Sequence, residues 1–135
     1  MTGQALAEAA AALVGTRFRL HGREPATGLD CIGLLAAALA GAGRSVTLPN
    51  GYTLRMRDPA RWLPRPEALG FIPAQPPFMP GDAVLLRLGA IQVHLAIAAP
   101  DGGWIHAHAG LRRVVHQPVL PDGTILHHWR PAPCD

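Results

Sequence analysis

Along this chain the rhythm of hydrophobic and polar positions changes, from helical spacing near the start to strand-like runs after Pro80. Leu6, Ala9, Ala10 and Leu13 fall on one helical face, which predicts a helix over Gln4 to Val14. Thr2 or Gly3 would start it and Gly15 would close it. The next apolar run, Cys31-Ile32-Gly33-Leu34-Leu35-Ala36-Ala37-Ala38-Leu39-Ala40, has no polar face until Arg44, so it predicts a helix buried nearly all round. Asp30 is the N-cap, its carboxylate accepting from an amide of the first turn, and Gly41-Ala42-Gly43 is the stop. Between the two helices, Gly15 to Gly28 reads as loop or short extended chain. Arg44 to Pro80 reads as a long irregular excursion, with one short helix within Pro59 to Leu69, and an excursion of that length in a small domain points to function.

After Pro80 the pattern becomes that of strands. Ala83 to Leu88, Ile91 to Ala98, Trp104 to His108, Leu111 to His116 and Thr124 to Trp129 are separated by turn residues, among them Pro100-Asp101-Gly102-Gly103. Helices first and strands afterwards predict an α+β domain, an antiparallel meander of about five strands packed on the central helix. One domain spans residues 1–135, with 131–135 as a flexible tail.

Composition narrows the picture without changing it. Hydrophobic residues make up 49% and charged residues 16%, which excludes a disordered chain. Fourteen prolines and fifteen glycines imply much loop. A net charge of +3 with scattered arginines and 5% aromatics gives no nucleic-acid footprint, but a mildly basic surface suits an anionic polymer such as a bacterial wall. No run is long and apolar enough to span a membrane, and the first residues lack the basic region of a signal peptide, so delivery outside the cytoplasm would need another carrier. Cys134 reads as a free thiol without a role, and two cysteines make no disulfide scaffold.

The candidate chemistry begins at Cys31. A cysteine opening a helix sits at the positive end of the helix dipole, which favours thiolate, and free amides there can hold an oxyanion. A lone cysteine in an apolar run is more often an inert core residue. A nucleophile needs a base, and the base needs an orienting partner. His94, mid-strand, is placed to take the thiol proton; His106, on the next strand, is placed to hold the far imidazole nitrogen. His94 could instead be a satisfied core histidine, and His106 with His108 could chelate zinc. His21, in the loop before Cys31, is a candidate lining residue of the cleft; His116, His127 and His128 read as surface or sheet-edge positions.

These residues resemble a known family. Gly15-Thr16-Arg17-Phe18-Arg19-Leu20-His21-Gly22 followed by Gly28-Leu29-Asp30-Cys31-Ile32-Gly33-Leu34 is similar to the nucleophile region of NlpC-type cell-wall peptidases, where G-x-x-Y-x-x-G-G leads to D-C-S-G-L. Pro80-Gly81-Asp82-Ala83-Val84 resembles their P-G-D-L-V, His94-Leu95-Ala96-Ile97 their H-V-G-I, and Trp104-Ile105-His106-Ala107 their I-H-A segment. The match runs from about residue 4 to 110, in family order.

The resemblance implies a papain-like fold with a Cys–His–polar triad of Cys31, His94 and His106. It implies hydrolysis of the D-glutamyl–diamino acid bond of peptidoglycan stem peptides, without cofactor or metal. Phe18, His21, Asp30 and Tyr52 are the substrate-binding candidates. Phe18 stands where the family has a tyrosine, one residue further from the cysteine; Tyr52, the only tyrosine, is the candidate replacement. Ile32 stands where the family has serine. Gly22-Arg23-Glu24-Pro25 and Cys31-Ile32-Gly33-Leu34 look most like the short versions encoded with phage tails and gene transfer agents, which implies tail proteins as partners and a tail particle as carrier. Three other functions fit the same residues: a structural tail-tip adaptor with a vestigial site, a related amidase or acyltransferase, and a zinc hydrolase.

Overall fold

The computed structural model describes residues 1–48, 65–89 and 92–133. Helix α1 spans Gly3–Ala11, with the Thr2 side chain accepting from the Ala5 amide, and buries Leu6, Ala7 and Ala10. It ends three residues before the predicted Val14. A two-residue hairpin, β1 (Arg23–Glu24) and β2 (Gly28–Leu29), forms within the predicted loop. Helix α2 then runs Cys31–Gly41, and the Asp30 carboxylate accepts from the Gly33 amide at 2.8 Å, as the cap position requires. Eleven residues are too few for a stable isolated helix. Burial holds it instead: Leu34, Ala38 and Leu39 are fully buried, each leucine contributing about 2 kcal/mol. Ala40 and Gly41 are exposed, so burial all round holds only for the first turns.

The loop before α2 lies backbone-on-backbone against it. A Cβ at Gly33 would overlap the carbonyl oxygen of Gly22, and one at Gly22 would overlap that of Gly28. Only glycine permits that approach, which brings residues 17–22 up to the start of α2.

A 3₁₀ turn at Pro66–Leu69, inside the stretch predicted to hold a short helix, precedes strand β3 (Phe71–Pro73). The main strands are β4 (Ala83–Leu88), β5 (Gln92–Ala98), β6 (Trp104–His108), β7 (Arg113–Gln117) and β8 (Thr124–Pro131). They form one antiparallel sheet in the order β3-β8-β4-β5-β6-β7. The predicted meander therefore holds from β4 to β7 and then fails. β8 returns across the sheet to lie between β4 and β3. The physical reason is a buried cluster: Arg130 on β8 donates two hydrogen bonds to Asp82, at 2.8 and 2.9 Å, and the His128 Nε2–H donates a third at 2.6 Å. His128, expected at a sheet edge, is thus a buried partner of Asp82. β8 also runs into the tail expected to be flexible: Pro131 pairs with Phe71, and the Ala132 amide donates to the Gly70 carbonyl. Cys134 and Tyr52 lie outside the described residues.

Alternation along the strands splits the core in two. Leu85, Leu95, Ile97, Ile105 and Ala107 pack with α1 and α2 in the larger cluster. Val84, Leu86, Ala96, Ala98 and Trp104 form a smaller one on the other face. No described helix is long and apolar enough to cross a membrane.

Candidate active site

Strands β5 and β6 are in ladder register at Ile97–Ile105 and Ala98–Trp104, next to the Pro100–Gly103 turn. Further from the turn lies a cleft of about 170 Å³, lined by Phe18, Cys31, Gln92, His94, His106 and His108 among others. The start of α2 supplies Cys31, and the sheet supplies the imidazoles. The sequence-predicted nucleophile, base and third residue thus meet at one cleft.

Hydrogen bonds order the imidazoles. Nε2 of His94 lies 2.9 Å from Nδ1 of His106, with the rings at right angles. Nε2 of His106 lies 2.7 Å from Oε1 of Gln117 on β7. Sequence reasoning missed Gln117. The signal was present in the alternation of β7, which places Gln117 on the same face as His106, but the pairing of β7 with β6 had to be known first. His108, on the same face, accepts a hydrogen bond at Nδ1 from the Leu111 amide.

Burial keeps the site uncharged at rest. The Cys31 thiol is pushed up to about 12, by burial first and then by the Asp30 carboxylate, against the lowering effect of the Leu95, Ile32 and Cys31 amides. The predicted pull of the helix start towards thiolate is there, but it is the smaller effect. His94 is pushed down to about 4, by burial and then by His106 and His108. His106 is lowered by burial, partly offset by its bond to Gln117.

The substrate-binding candidates separate. Phe18 lines the cleft. Asp30 does not face it: the carboxylate is fully buried and accepts from the Gly33 amide, the His21 amide and Arg23. Its place is structural, capping α2 and tying down the loop. His21 is exposed, in a left-handed backbone conformation (φ 60°), and is not among the cleft-lining residues. Among the described residues no group of three histidine, cysteine or acidic side chains is placed to hold a metal ion, so the His106–His108 pair gains no third ligand.

No protein-family profile matches the chain, and no curated protein matches it in sequence. Solved structures do. NlpC2 from Trichomonas vaginalis superposes with a TM-score of 0.65 at 17% identity, over 96% of this chain and 46% of that one. The NlpC/p60 domain of the peptidoglycan hydrolase SagA gives 0.57 at 26% identity, over 86% and 88%. The peptidoglycan hydrolase RipB of Mycobacterium tuberculosis gives 0.63 at 20% identity, over 98% and 65%. The chain spans less than half the length of the Trichomonas protein and most of the SagA domain. Two helices against a six-stranded antiparallel sheet, superposing on these structures over 86% to 98% of the chain, give it the α+β, papain-like fold of NlpC/p60 proteins.

Proposed function

We propose that this chain is a cysteine peptidase that hydrolyses peptidoglycan stem peptides at the D-glutamyl–diamino acid bond. The observation that carries the proposal is the convergence of Cys31 and the hydrogen-bonded pair His94–His106 on one cleft. Likeness to NlpC/p60 peptidoglycan hydrolases supplies the substrate class.

The chemistry follows from the resting charges. With the thiol raised and the imidazole lowered, the proton starts on sulfur. Sγ of Cys31 attacks the scissile carbonyl carbon as its proton passes to His94, forming the C–S bond. The oxyanion is held by the Cys31 amide at the helix start. Collapse breaks the C–N bond, His94 returns the proton to the leaving amine, and a thioester remains. Water then gives a proton to His94 and adds to the thioester carbonyl. The C–S bond breaks and Cys31 recovers its proton. No cofactor enters this scheme.

Digestion of purified peptidoglycan tests it. Wild type should release new amino termini, identified by mass spectrometry as the diamino acid, and Cys31→Ala should release none. Equal digestion by Cys31→Ala would remove Cys31 from the mechanism. A different new terminus would move the enzyme to the related amidases or acyltransferases.

The carrier belongs to the same proposal: a phage tail or gene transfer agent particle bringing the domain to the periplasmic wall, with tail-tip or hub proteins as partners. Its support is the likeness of the Gly22-Arg23-Glu24-Pro25 and Cys31-Ile32-Gly33-Leu34 segments to the tail-encoded branch. Proteomics of particles purified from the source cells should find the chain at constant stoichiometry to tail proteins, and its absence from them would refute this part. One observation favours the alternative of a structural tail-tip adaptor: Cys31 is only 3% exposed and holds its proton. That adaptor would leave peptidoglycan intact.

A further inference from the structure

We infer that Gln117 is a positioning residue that fixes the tautomers of both site histidines and so leaves Nδ1 of His94 as the nitrogen able to take a proton. The inference rests on the proposed peptidase reading for its kinetic consequence, but its structural part stands on the hydrogen-bond geometry of two neutral rings.

Gln117 pairs with Trp104 across the β6–β7 ladder, and His106 pairs with Val115. Gln117 is therefore the diagonal neighbour of His106 on the same face, within reach of a long side chain. Its Oε1 lies 2.7 Å from Nε2 of His106. A carbonyl oxygen has no hydrogen to give, so Nε2 of His106 must carry the proton and donate. A neutral imidazole carries one N–H, so Nδ1 of His106 is then a lone pair. That lone pair faces Nε2 of His94 at 2.9 Å, so His94 must carry its own proton on Nε2. One nitrogen of His94 is left, Nδ1, and it is unprotonated. Both rings are neutral near pH 7, because burial lowers each of them. The Gln117 bond also acts against that lowering at His106, as an accepting oxygen should.

Every step is sequential, so the outermost group sets the innermost. With its amide turned over, Gln117 would donate to Nε2 of His106 and reverse each hydrogen along the line. His94 would then carry its proton on Nδ1 and could accept none there. A neutral third residue such as His106 can orient a base only if something else breaks its own tautomeric symmetry, and Gln117 is the group in contact with its far nitrogen.

The test combines tautomer spectroscopy with kinetics. Long-range ¹H–¹⁵N spectra of the wild-type chain at neutral pH should show His94 and His106 both as Nε2–H tautomers. Gln117→Leu removes the acceptor and should convert His106 to a mixture. On peptidoglycan fragments it should lower kcat by roughly tenfold or more with KM changed less than about twofold, because an orienting group acts on the chemical step and not on binding. Gln117→Glu keeps an acceptor oxygen and should restore most of kcat. Loss of packing alone would not move the tautomers and would not be rescued by Glu. An Nδ1–H tautomer of His94 in wild type, unchanged tautomers in Gln117→Leu, or no rescue by Gln117→Glu would each overturn the inference. Should Gln117→Leu fail to fold, the wild-type spectrum and Gln117→Glu still decide it. A wild type that cuts no peptidoglycan would sink the peptidase reading while the spectra still judged the relay.

Discussion

At the scale of single residues, the site is governed by desolvation. A cysteine at a helix start reads in sequence as an activated thiolate, yet Cys31 keeps its proton because burial outweighs the three amides and the Asp30 charge adds to burial. Iodoacetamide labelling of Cys31 should therefore be slow at pH 7–8 and rise only above the ordinary thiol range; rapid labelling at neutral pH would contradict this. Asp30→Asn keeps a cap acceptor but removes the charge, so the labelling curve should move to lower pH. The same change loosens Arg23 and should cost about 1–2 kcal/mol in denaturant unfolding. An unmoved labelling curve would remove Asp30 as a cause. The histidines make a separate prediction in stability. His94, lowered to about 4, and His106, lowered by a smaller set of causes led by burial, both titrate below the ordinary 6.5 when folded, so below 6.5 the unfolded chain binds more protons, for His94 down to about 4. The contribution of each is complete above pH 6.5 and is lost as pH falls through its folded value, which for His94 is about 4. Replacing His94 with Gln should flatten the pH dependence of unfolding in that window, and an unchanged slope would refute it.

At the scale of elements, the sequence was most legible where a local signal and a tertiary demand coincide. Asp30 and the Gly41–Gly43 stop bound α2 correctly, because capping is local chemistry and the apolar run between them had nowhere to go but the core. The hairpin at Pro100–Gly103 was legible for the same reason: Ala99 and Gly103 close it, with Gly102 at φ 95°. What could not be read was contact between backbones. Nothing local to Gly33 signals the contact, yet it is where the Gly22 carbonyl rests. Gly33→Ala should thus destabilise the chain by about 2–3 kcal/mol, although alanine is the better helix former. A gain in melting temperature would show that the loop can withdraw without cost. Phe18 and Cys31, which line the cleft, belong to the two segments that meet at this contact, so the variant should also lose cleft geometry. By contrast the exposed Ala40→Ser, on the same helix, should leave both unchanged.

At the scale of the whole molecule, the sheet order turns on one buried carboxylate. Thr124 to Trp129 has the alternation of a strand that could extend a meander beyond β7, and nothing local forbids it. The distinction is made 48 residues away, where Asp82, in the turn before β4, receives Arg130 and His128 from β8. Burial by itself would raise the Asp82 carboxyl, but the Arg130 bonds, the Met79 amide and His128 outweigh it and hold it below the usual carboxylate range. A buried carboxylate with four donors is costly to leave half-satisfied, so β8 is bound beside β4 rather than beside β7. Asp82→Asn keeps the shape but loses the charge that Arg130 answers, and should cost about 2–3 kcal/mol in denaturant unfolding at pH 7. The sign with pH is fixed by the lowered value: this contribution is present above the unfolded carboxylate pKa and disappears as pH falls through the folded one. Wild type and Asp82→Asn should therefore differ at pH 7, begin to converge in stability as pH falls below about 4, and meet only below the lowered folded value. Amide exchange should place the loss in β8 and β3, the strands on the Arg130 side, while α2 and the β5–β6 hairpin that carry Cys31, His94 and His106 keep their protection. Uniform loss over the whole sheet would mean that Asp82 supports the core at large and does not choose the place of β8.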